Sequence, residues 1–521
     1  MSTAHSRILI LDFGSQFTQL IARRLREQKI YTEIYPSDCS LKHIKEFDPK
    51  GLILSGGPYS VYDKKAPKCG DIWGLGVPIL GICYGMQYMA KVCGAPVMAA
   101  KTREYGRTHI RREGKSVLLP DHNGDWPVWM SHGDEIGRTP DGFVQTAVSE
   151  NGSPAAMEDA VRQWYAVQFH PEVSHTQGGG EILKRFAYDI CGCVGDWDLT
   201  AYLMEQVKSA AVQVGPKGKA ICALSGGVDS TVAATLVQQA LGERLQCIFV
   251  NNGLLRKDEA EQVLEVYKKE LKLNVTYVDA SKKFLNALKG VADPEKKRKI
   301  IGREFIRIFE AKAKGAKWLV QGTLYPDVIE SAPPPRSIQG ASKKPGHSST
   351  IKSHHNVGGL PKNMKMGLIE PLRELFKDEV RQVGRVLGVP EKILGRHPFP
   401  GPGLAVRCLG AVTPAKLSII REVDAIFIEE IRAAGLYHQI WQAYAAFLPI
   451  RSVGVMGDGR TYDNAVALRA VTSSDGMTAD WFPFQPDFLS RVSNRIVNEV
   501  RGVNRVVYDI SSKPPATIEW E

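Results

Sequence analysis

Twice in this chain a short apolar run stops at a glycine-bracketed turn and hands over to an amphipathic stretch. VPILGIC at 77–83 leads into Tyr84-Gly85-Met86-Gln87, and KAICALSGG at 219–227 leads into DSTVAATLVQQAL. A buried strand, a tight turn and a returning helix make the unit of parallel sheets, whose strands are covered on both faces and read as continuous apolar runs. The alternation recurs. RILILDFG at 7–14 precedes the helix-spaced FTQLIARRLREQ at 17–28, GLILSGG fills 51–57, and LQCIFVNNG at 245–253 and NVTYVDA at 274–280 follow the second turn. Shorter strands are expected at 128–132 (VWMSH) and 165–170 (YAVQFH). The expected fold class is α/β.

At 521 residues the chain outgrows a single core, since cores stop growing at roughly 250–300 residues. Its patterning suggests three domains: an N-terminal α/β domain at 1–196, a central doubly wound parallel-sheet domain at 197–396, and a small α+β domain at 397–521. A linking helix near 197–212 opens the second. PFPGPG at 398–403 marks the start of the third, which carries an amphipathic helix at 415–434. Segment 332–361, rich in Pro, Gly, Ser and Lys, has no apolar period and is expected to be a mobile loop.

Composition narrows the classes of function. No apolar run approaches the ~20 residues of a membrane helix, and the first residues lack the apolar core of a signal peptide. The expectation is a cytoplasmic protein without a membrane partner. Nine cysteines, scattered and odd in number, argue against a disulfide framework. Cys191-Gly-Cys193 has no second pair at zinc spacing and reads as structural. The net charge of +11 comes without an aromatic–basic signature, which favours phosphate-bearing metabolites over nucleic acid.

Each turn suggests a chemistry. Gly81-Ile82-Cys83-Tyr84-Gly85 has the pattern of a nucleophile elbow with cysteine in the serine position. A helix N-terminus there favours the attacking thiolate. His170 can act as base, and Glu172 can orient the imidazole and stabilise its charge. The second turn, Ser225-Gly226-Gly227-Val228-Asp229-Ser230-Thr231, offers backbone N–H groups and hydroxyls to phosphate. The chain has no G-x-x-x-x-G-K-[ST], so the lysine of a Walker loop is missing and simple γ-phosphate transfer is disfavoured. Asp229 is the candidate ligand for the Mg²⁺ that accompanies ATP. Farther on, Gln321-Gly322-Thr323 is followed by Asp327, Glu330, Lys352, His354 and His355, a stretch able to close over a bound nucleotide.

The first turn together with FHPE at 169–172 resembles the class I glutamine amidotransferases over about residues 7–190. The resemblance implies Cys83 as nucleophile, His170 as base and Glu172 as acid. It also implies oxyanion N–H groups from Gly57 and Tyr84, and a glutamine contact from Gln87. SGGVDST resembles the PP-loop of ATP pyrophosphatases, which adenylate and release pyrophosphate. NAD synthetases, asparagine synthetases and tRNA-thiolating enzymes share that loop, and the tail separates them. GVMGDGRTYDNAVALRAVTSSDGMTADW at 454–481 and SKPPATIEWE at 512–521 closely resemble the glutamine-hydrolysing GMP synthase family, and the likeness runs over essentially the whole chain.

That family's reaction adenylates the C2 oxygen of xanthosine 5′-monophosphate (XMP), and ammonia from glutamine then displaces AMP to give GMP. The resemblance implies ATP binding at 225–231, a lid containing Asp327, Glu330 and Lys352, and XMP contacts at Arg298, Asp458, Lys513, Thr517, Ile518 and Glu519. It also implies a homodimer through the C-terminal domain. Other readings are another glutamine-fed PP-loop ligase such as an NAD synthetase, an inactive nucleotide-binding homologue, or a basic RNA-binding modifier.

Overall fold

Four parallel strands form one half of the N-terminal sheet: β1 (Arg7–Asp12), β2 (Tyr31–Pro36), β3 (Gly51–Leu54) and β4 (Ile79–Ile82). The computed structural model describes residues 5–122, 124–313, 315–331, 366–456, 459–473, 478–513 and 515–521. The other half contains β5 (Val97–Arg112), β6 (Trp126–Ile136), β7 (Val144–Ser149), β8 (Pro154–Asp159) and β9 (Trp164–Val167). The nine strands run in the order β2-β1-β3-β4-β9-β8-β7-β5-β6. Pairing is parallel as far as β4–β9 and antiparallel beyond. The sheet is thus mixed: the strand–helix alternation gives its parallel half, and the short strands beyond it pair antiparallel. After Gly94, among the described residues, no crossover helix separates the strands, so successive strands turn back on one another.

The continuous apolar runs behave as expected. Residues Ile8–Leu11 of β1, Leu52–Leu54 of β3 and Leu80 and Ile82 of β4 are inaccessible to solvent. Strand β9 stops at Val167, earlier than its apolar pattern suggested, and His170 therefore lies in the connection beyond the strand.

Met1–Asp198 forms the main part of one compact unit, and Leu199–Val328 with Lys352–Glu521 forms a second. The linking helix is Leu199–Val214. It leads to the parallel strands β10 (Ala220–Leu224), β11 (Leu245–Asn251), β12 (Val275–Asp279), β13 (Trp318–Val320) and β14 (Gly367–Ile369). Their order, β12-β11-β10-β13-β14, reverses direction between β10 and β13. Open sheets of this kind bind ligands outside the carboxyl ends of the strands at that switch point.

The remaining sheet is built on β15 (Gln442–Met456) and β16 (Gly459–Thr472), a long antiparallel pair, with β17 (Asp480–Trp481) and β18 (Val503–Tyr508) beside β16. Helices Pro414–Ala433 and Pro486–Glu499 cover it, burying Phe427, Ile431, Phe488, Val492 and Ile496 against Ala445, Val466 and Leu468. Core side chains also join this region to the central sheet, because Ile248, Val250 and Leu254 pack in one cluster with Leu404, Leu417, Ile420 and Phe447. Among the described residues, no helix is long and apolar enough to cross a membrane. The expected loop at 332–361 lies outside the described residues.

Candidate active sites

In the N-terminal unit, β4 and β9 are parallel neighbours with Ile82 opposite Val167, so the residues after both strands emerge at the same edge of the sheet. Cys83 follows β4 directly and caps the helix Tyr84–Val92. Its backbone is forced to φ 53°, a region rare for residues other than glycine. The flanking glycines make that turn sterically feasible. A Cβ on Gly81 would meet the Gly85 backbone at 2.7 Å, and one on Gly85 would meet the Leu54 carbonyl oxygen at 2.3 Å.

His170 and Glu172 complete the array. Nδ1 of His170 lies 2.7 Å from Glu172 Oε1, both side chains are buried, and Phe17 meets the imidazole edge-on at 5.0 Å between centroids. Burial of His170 opposes its protonation, but the charge of Glu172 and the hydrogen-bonded Cys83 outweigh it and raise the imidazole to about 10. A protonated imidazole held between a carboxylate and the Cys83 sulfur sets a proton donor beside the nucleophile. Cys83 Sγ also lies 3.7 Å from the Ser131 carbonyl oxygen.

Tyr84 opens the helix after Cys83, so its N–H has no acceptor one turn back within the helix. Gly57 follows β3 in the neighbouring connection. The Gln87 amide is buried and donates to the Asp134 carbonyl at 2.9 Å and to Gln168 Oε1 at 3.3 Å. It is thereby fixed in place beside the elbow. Sequence reasoning missed His132, whose Nδ1 sits 3.0 Å from the same Asp134 oxygen and whose Nε2 sits 3.0 Å from Glu104. Its signal was a histidine in a strand that alternates buried and half-buried residues.

In the second unit, Ser225 follows β10 at the switch point, and the helix Val228–Leu241 starts at Gly227 without a side-chain cap. An uncapped helix start leaves backbone donors for an anion. Gly226 is held at φ +82°, and its carbonyl accepts from Arg396 at 3.1 Å. Within the loop the Gly227 N–H donates to Ser225 Oγ at 3.3 Å, and Thr231 Oγ1 donates to the Gly227 carbonyl at 2.7 Å.

Asp229 Oδ1 is shielded from solvent and has no hydrogen-bond partner among the described residues, while Oδ2 is 3.7 Å from Lys377 Nζ. A carboxylate oxygen in that condition fits a divalent cation. Among the described residues no cluster of three or more metal-ligating side chains exists. One carboxylate supplemented by phosphate oxygens and water is how Mg²⁺ is commonly held. Gly322, just beyond β13, approaches so closely that a Cβ there would lie 2.8 Å from the Asp229 backbone. The QGT stretch and the loop thus form one cradle. Asp327 Oδ2 accepts the Leu324 N–H at 3.0 Å at the start of helix Tyr325–Ser331. Lys352, His354, His355, Asp458 and the Glu330 side chain lie outside the described residues.

The other expected substrate contacts meet along the C-terminal segment, also in this unit. Lys513 pairs with Ala479 through two backbone hydrogen bonds of 2.7 and 3.0 Å. Arg298 projects from the helix Pro294–Lys312 and donates to the Glu521 backbone oxygen at 2.7 Å. The Thr517 and Ile518 carbonyls accept from Arg469 at 3.0 and 2.8 Å, and Ile518 also accepts from the Tyr444 hydroxyl at 2.7 Å. The Glu519 carboxylate is gripped by Arg407 and Gln442. Lys297 is wholly buried and bonds the Ala405 and Cys408 carbonyls and Glu521. Lys297, Arg407, Gln442 and Arg469 were all missed from sequence. The one available sign was an arginine inside an apolar run, as in GLAVRCLG and AVALRAV, because buried charges are rare unless paired.

Comparison with known proteins shows the family. Residues 9–190 match the family Glutamine amidotransferase class-I, residues 215–328 match Thiamine biosynthesis protein (ThiI), and residues 429–520 match GMP synthase C terminal domain. A protein of Chlorobium luteolum named GMP synthase [glutamine-hydrolyzing] is 57% identical over 523 residues, covering 99% of each chain. One of the same name from Chlorobaculum tepidum is 55% identical over 529 residues, covering 100% of each. A third, from Aromatoleum aromaticum, is 55% identical over 99% of this chain and 100% of its own. The chain belongs to the glutamine-hydrolysing GMP synthase family.

Proposed function

We propose that this protein converts XMP, ATP and glutamine into GMP, AMP, pyrophosphate and glutamate. The observation that carries this reading is the presence, on one chain, of the Cys83–His170–Glu172 array and an uncapped glycine cradle lacking the Walker lysine. The full-length relatives carry the name of the same reaction. An NAD synthetase does not fit those relatives, and an inactive homologue does not fit the intact array.

In the first half-reaction the Cys83 sulfur attacks the glutamine side-chain carbonyl. The N–H groups of Tyr84 and Gly57 receive the developing oxyanion, and His170 passes a proton to the departing ammonia. Water then releases glutamate from the thioester. In the second, the C2 oxygen of XMP attacks the α-phosphorus of ATP and pyrophosphate leaves from the 225–231 cradle. Ammonia adds at C2 and AMP departs. Adenylation is needed because the lactam-type oxygen is a poor leaving group until it is esterified. Mg²⁺, with Asp229 as its protein ligand, would supply charge neutralisation for the pyrophosphate.

Asp327, Glu330 and Lys352 are assigned to a lid over ATP. Arg298, Asp458, Lys513, Thr517, Ile518 and Glu519 are assigned to XMP, with Lys513 facing the 5′-phosphate. The reading includes a cytoplasmic location and a homodimer formed through 397–521. Supporting the latter, the β15–β16 pair exposes Ile450, Val453, Val455 and Tyr462 to solvent, an apolar display that commonly marks an interface. The test is product analysis after mixing the protein with XMP, ATP-Mg²⁺ and glutamine. Stoichiometric GMP, AMP and pyrophosphate are expected, and ADP with orthophosphate would refute the reading.

A further inference from the structure

Among the groups that fasten the segment Thr517–Glu521, those on the backbone and those on the Glu519 side chain are separate sets, and Lys297 and the Gly410 N–H hold the Glu521 carboxylate besides. Backbone atoms are held by Arg469, which donates to the carbonyls of Thr517 and Ile518, by the Tyr444 hydroxyl on Ile518, and by Arg298 on Glu521. Arg407 and Gln442 contact none of this backbone. Within this segment they bond the Glu519 side chain: Arg407 Nη2 donates to Oε1 at 2.9 Å, Arg407 Nε to Oε2 at 3.2 Å, and Gln442 Nε2 to Oε1 at 2.5 Å.

Arg407 is wholly buried. Burial opposes its charge, and Glu519 and Asp424 more than restore it. Its guanidinium lies over the Tyr444 ring at 4.3 Å and the Phe399 ring at 4.9 Å, which fixes the plane of the fork. Such a pair is a poor way to gain stability, since buried ion pairs are often matched or bettered by apolar side chains of similar volume. A two-pronged, stacked guanidinium does supply orientation. A carboxylate offers about four acceptor positions. Three are taken by these donors, and the one left is on Oε2, on a side chain that is 21% exposed.

We infer that Arg407, assisted by Gln442, is a positioning residue that aims the last free acceptor of Glu519 at an N–H or O–H donor of the purine nucleotide. This rests on the assignment of Glu519 to XMP made above. Arg407 acts through Glu519 and does not touch the reacting atoms.

The test is steady-state kinetics of the full-length protein with ammonium as nitrogen donor. It compares Arg407→Lys, Glu519→Gln and the double variant. Arg407→Lys keeps the charge but loses the fork, and should raise KM for XMP roughly tenfold, with a much smaller change in kcat at saturating XMP. The double variant should be no worse than Glu519→Gln alone, because both changes act on one contact. An unchanged KM in Arg407→Lys, or additive losses in the double variant, would overturn the inference while leaving Glu519 as an XMP residue. An unchanged KM in Glu519→Gln would instead remove that assignment and the inference with it. Should Arg407→Lys not fold, Gln442→Met removes one donor from the same carboxylate without stranding a buried charge. It should raise KM for XMP by roughly threefold, and no change would overturn the inference.

Discussion

Glu172 places Oε1 2.7 Å from Nδ1 of His170 in an environment closed to water. The carboxylate, with Cys83, keeps the imidazole protonated up to about pH 10 although burial alone would discharge it. Because the raised value belongs to the folded state, the stability it contributes is complete below the ordinary histidine value. That stability is lost as pH rises through about 10. Glutaminase activity should therefore have an alkaline limit near that pH. In Glu172→Gln the limit should move down by about one unit or more, since a carboxylate at this distance shifts a neighbour that far. A pH profile of glutamine hydrolysis checks it, and coincident alkaline limbs would count against the array.

Cys83→Ala removes the nucleophile and nothing that binds ATP or XMP. Glutamine-dependent GMP formation should fall to background, while formation from ammonium salts stays within about twofold of the wild type. Measured side by side, a variant that ammonium fails to rescue would show that the two half-reactions are not separable as proposed.

Gly85→Ala would drive a methyl group to 2.3 Å from the Leu54 carbonyl oxygen, a backbone atom held in β3 that cannot step aside. Overpacking of this kind costs about 1–3 kcal/mol, and the N-terminal unit should melt several degrees lower, roughly 4–8 °C. Glutaminase turnover should fall with it as the elbow shifts. Calorimetry shows the effect, and an unaltered Tm with full turnover would mean the turn is looser than the geometry indicates.

Local pattern made the two turns legible: apolar strand, glycine turn and helix all lie within about fifteen residues of one another. The order of the triad was legible for the same reason, since His170 and Glu172 sit in a short motif after a recognisable strand. What sequence could not supply was pairing. That β4 and β9 are adjacent and parallel, bringing Cys83 to His170, is a long-range fact that no local window carries. Arg407, Arg469 and Lys297 were illegible because their partners in Thr517–Glu521 lie 48 to 224 residues away. The sequence reading gave the KPP tail a role only through family resemblance. In the fold its last residues, Thr517–Glu521, are bonded by three buried cations, Lys297, Arg407 and Arg469.

Asp229 is the carboxylate with an unpartnered buried oxygen at the mouth of the cradle. Asp229→Asn keeps its shape and removes its charge. ATP-dependent pyrophosphate release should drop by roughly 10²-fold, the scale seen when one electrostatic stabiliser is lost. The Mg²⁺ concentration giving half-maximal rate should also rise. Glutamine hydrolysis in the absence of nucleotide provides the internal reference. If the Mg²⁺ requirement does not change, the cation is held by phosphate and water alone.

His397 supplies a pH effect of the opposite sense. Chiefly through burial, with Arg256 and Arg432 nearby, its imidazole is lowered to about 4 despite the Tyr437 carbonyl and Asp424. The ring is neutral: Nδ1 accepts the Ala443 N–H at 3.2 Å and Nε2 donates to the Tyr437 carbonyl at 2.9 Å. An unfolded chain takes up this proton near pH 6.5, whereas the folded one resists until about 4. Stability is therefore present above 6.5 and lost as pH falls toward 4, by at most about 1.4 kcal/mol per pH unit. Protonation also removes the acceptor from Ala443 in β15. The amide of Ala443 should lose protection from hydrogen exchange across that interval, after correction for the intrinsic rate, and His397→Gln should flatten the dependence. Constant protection of Ala443 between pH 6.5 and 4 would show that this ring does not govern the acid limb.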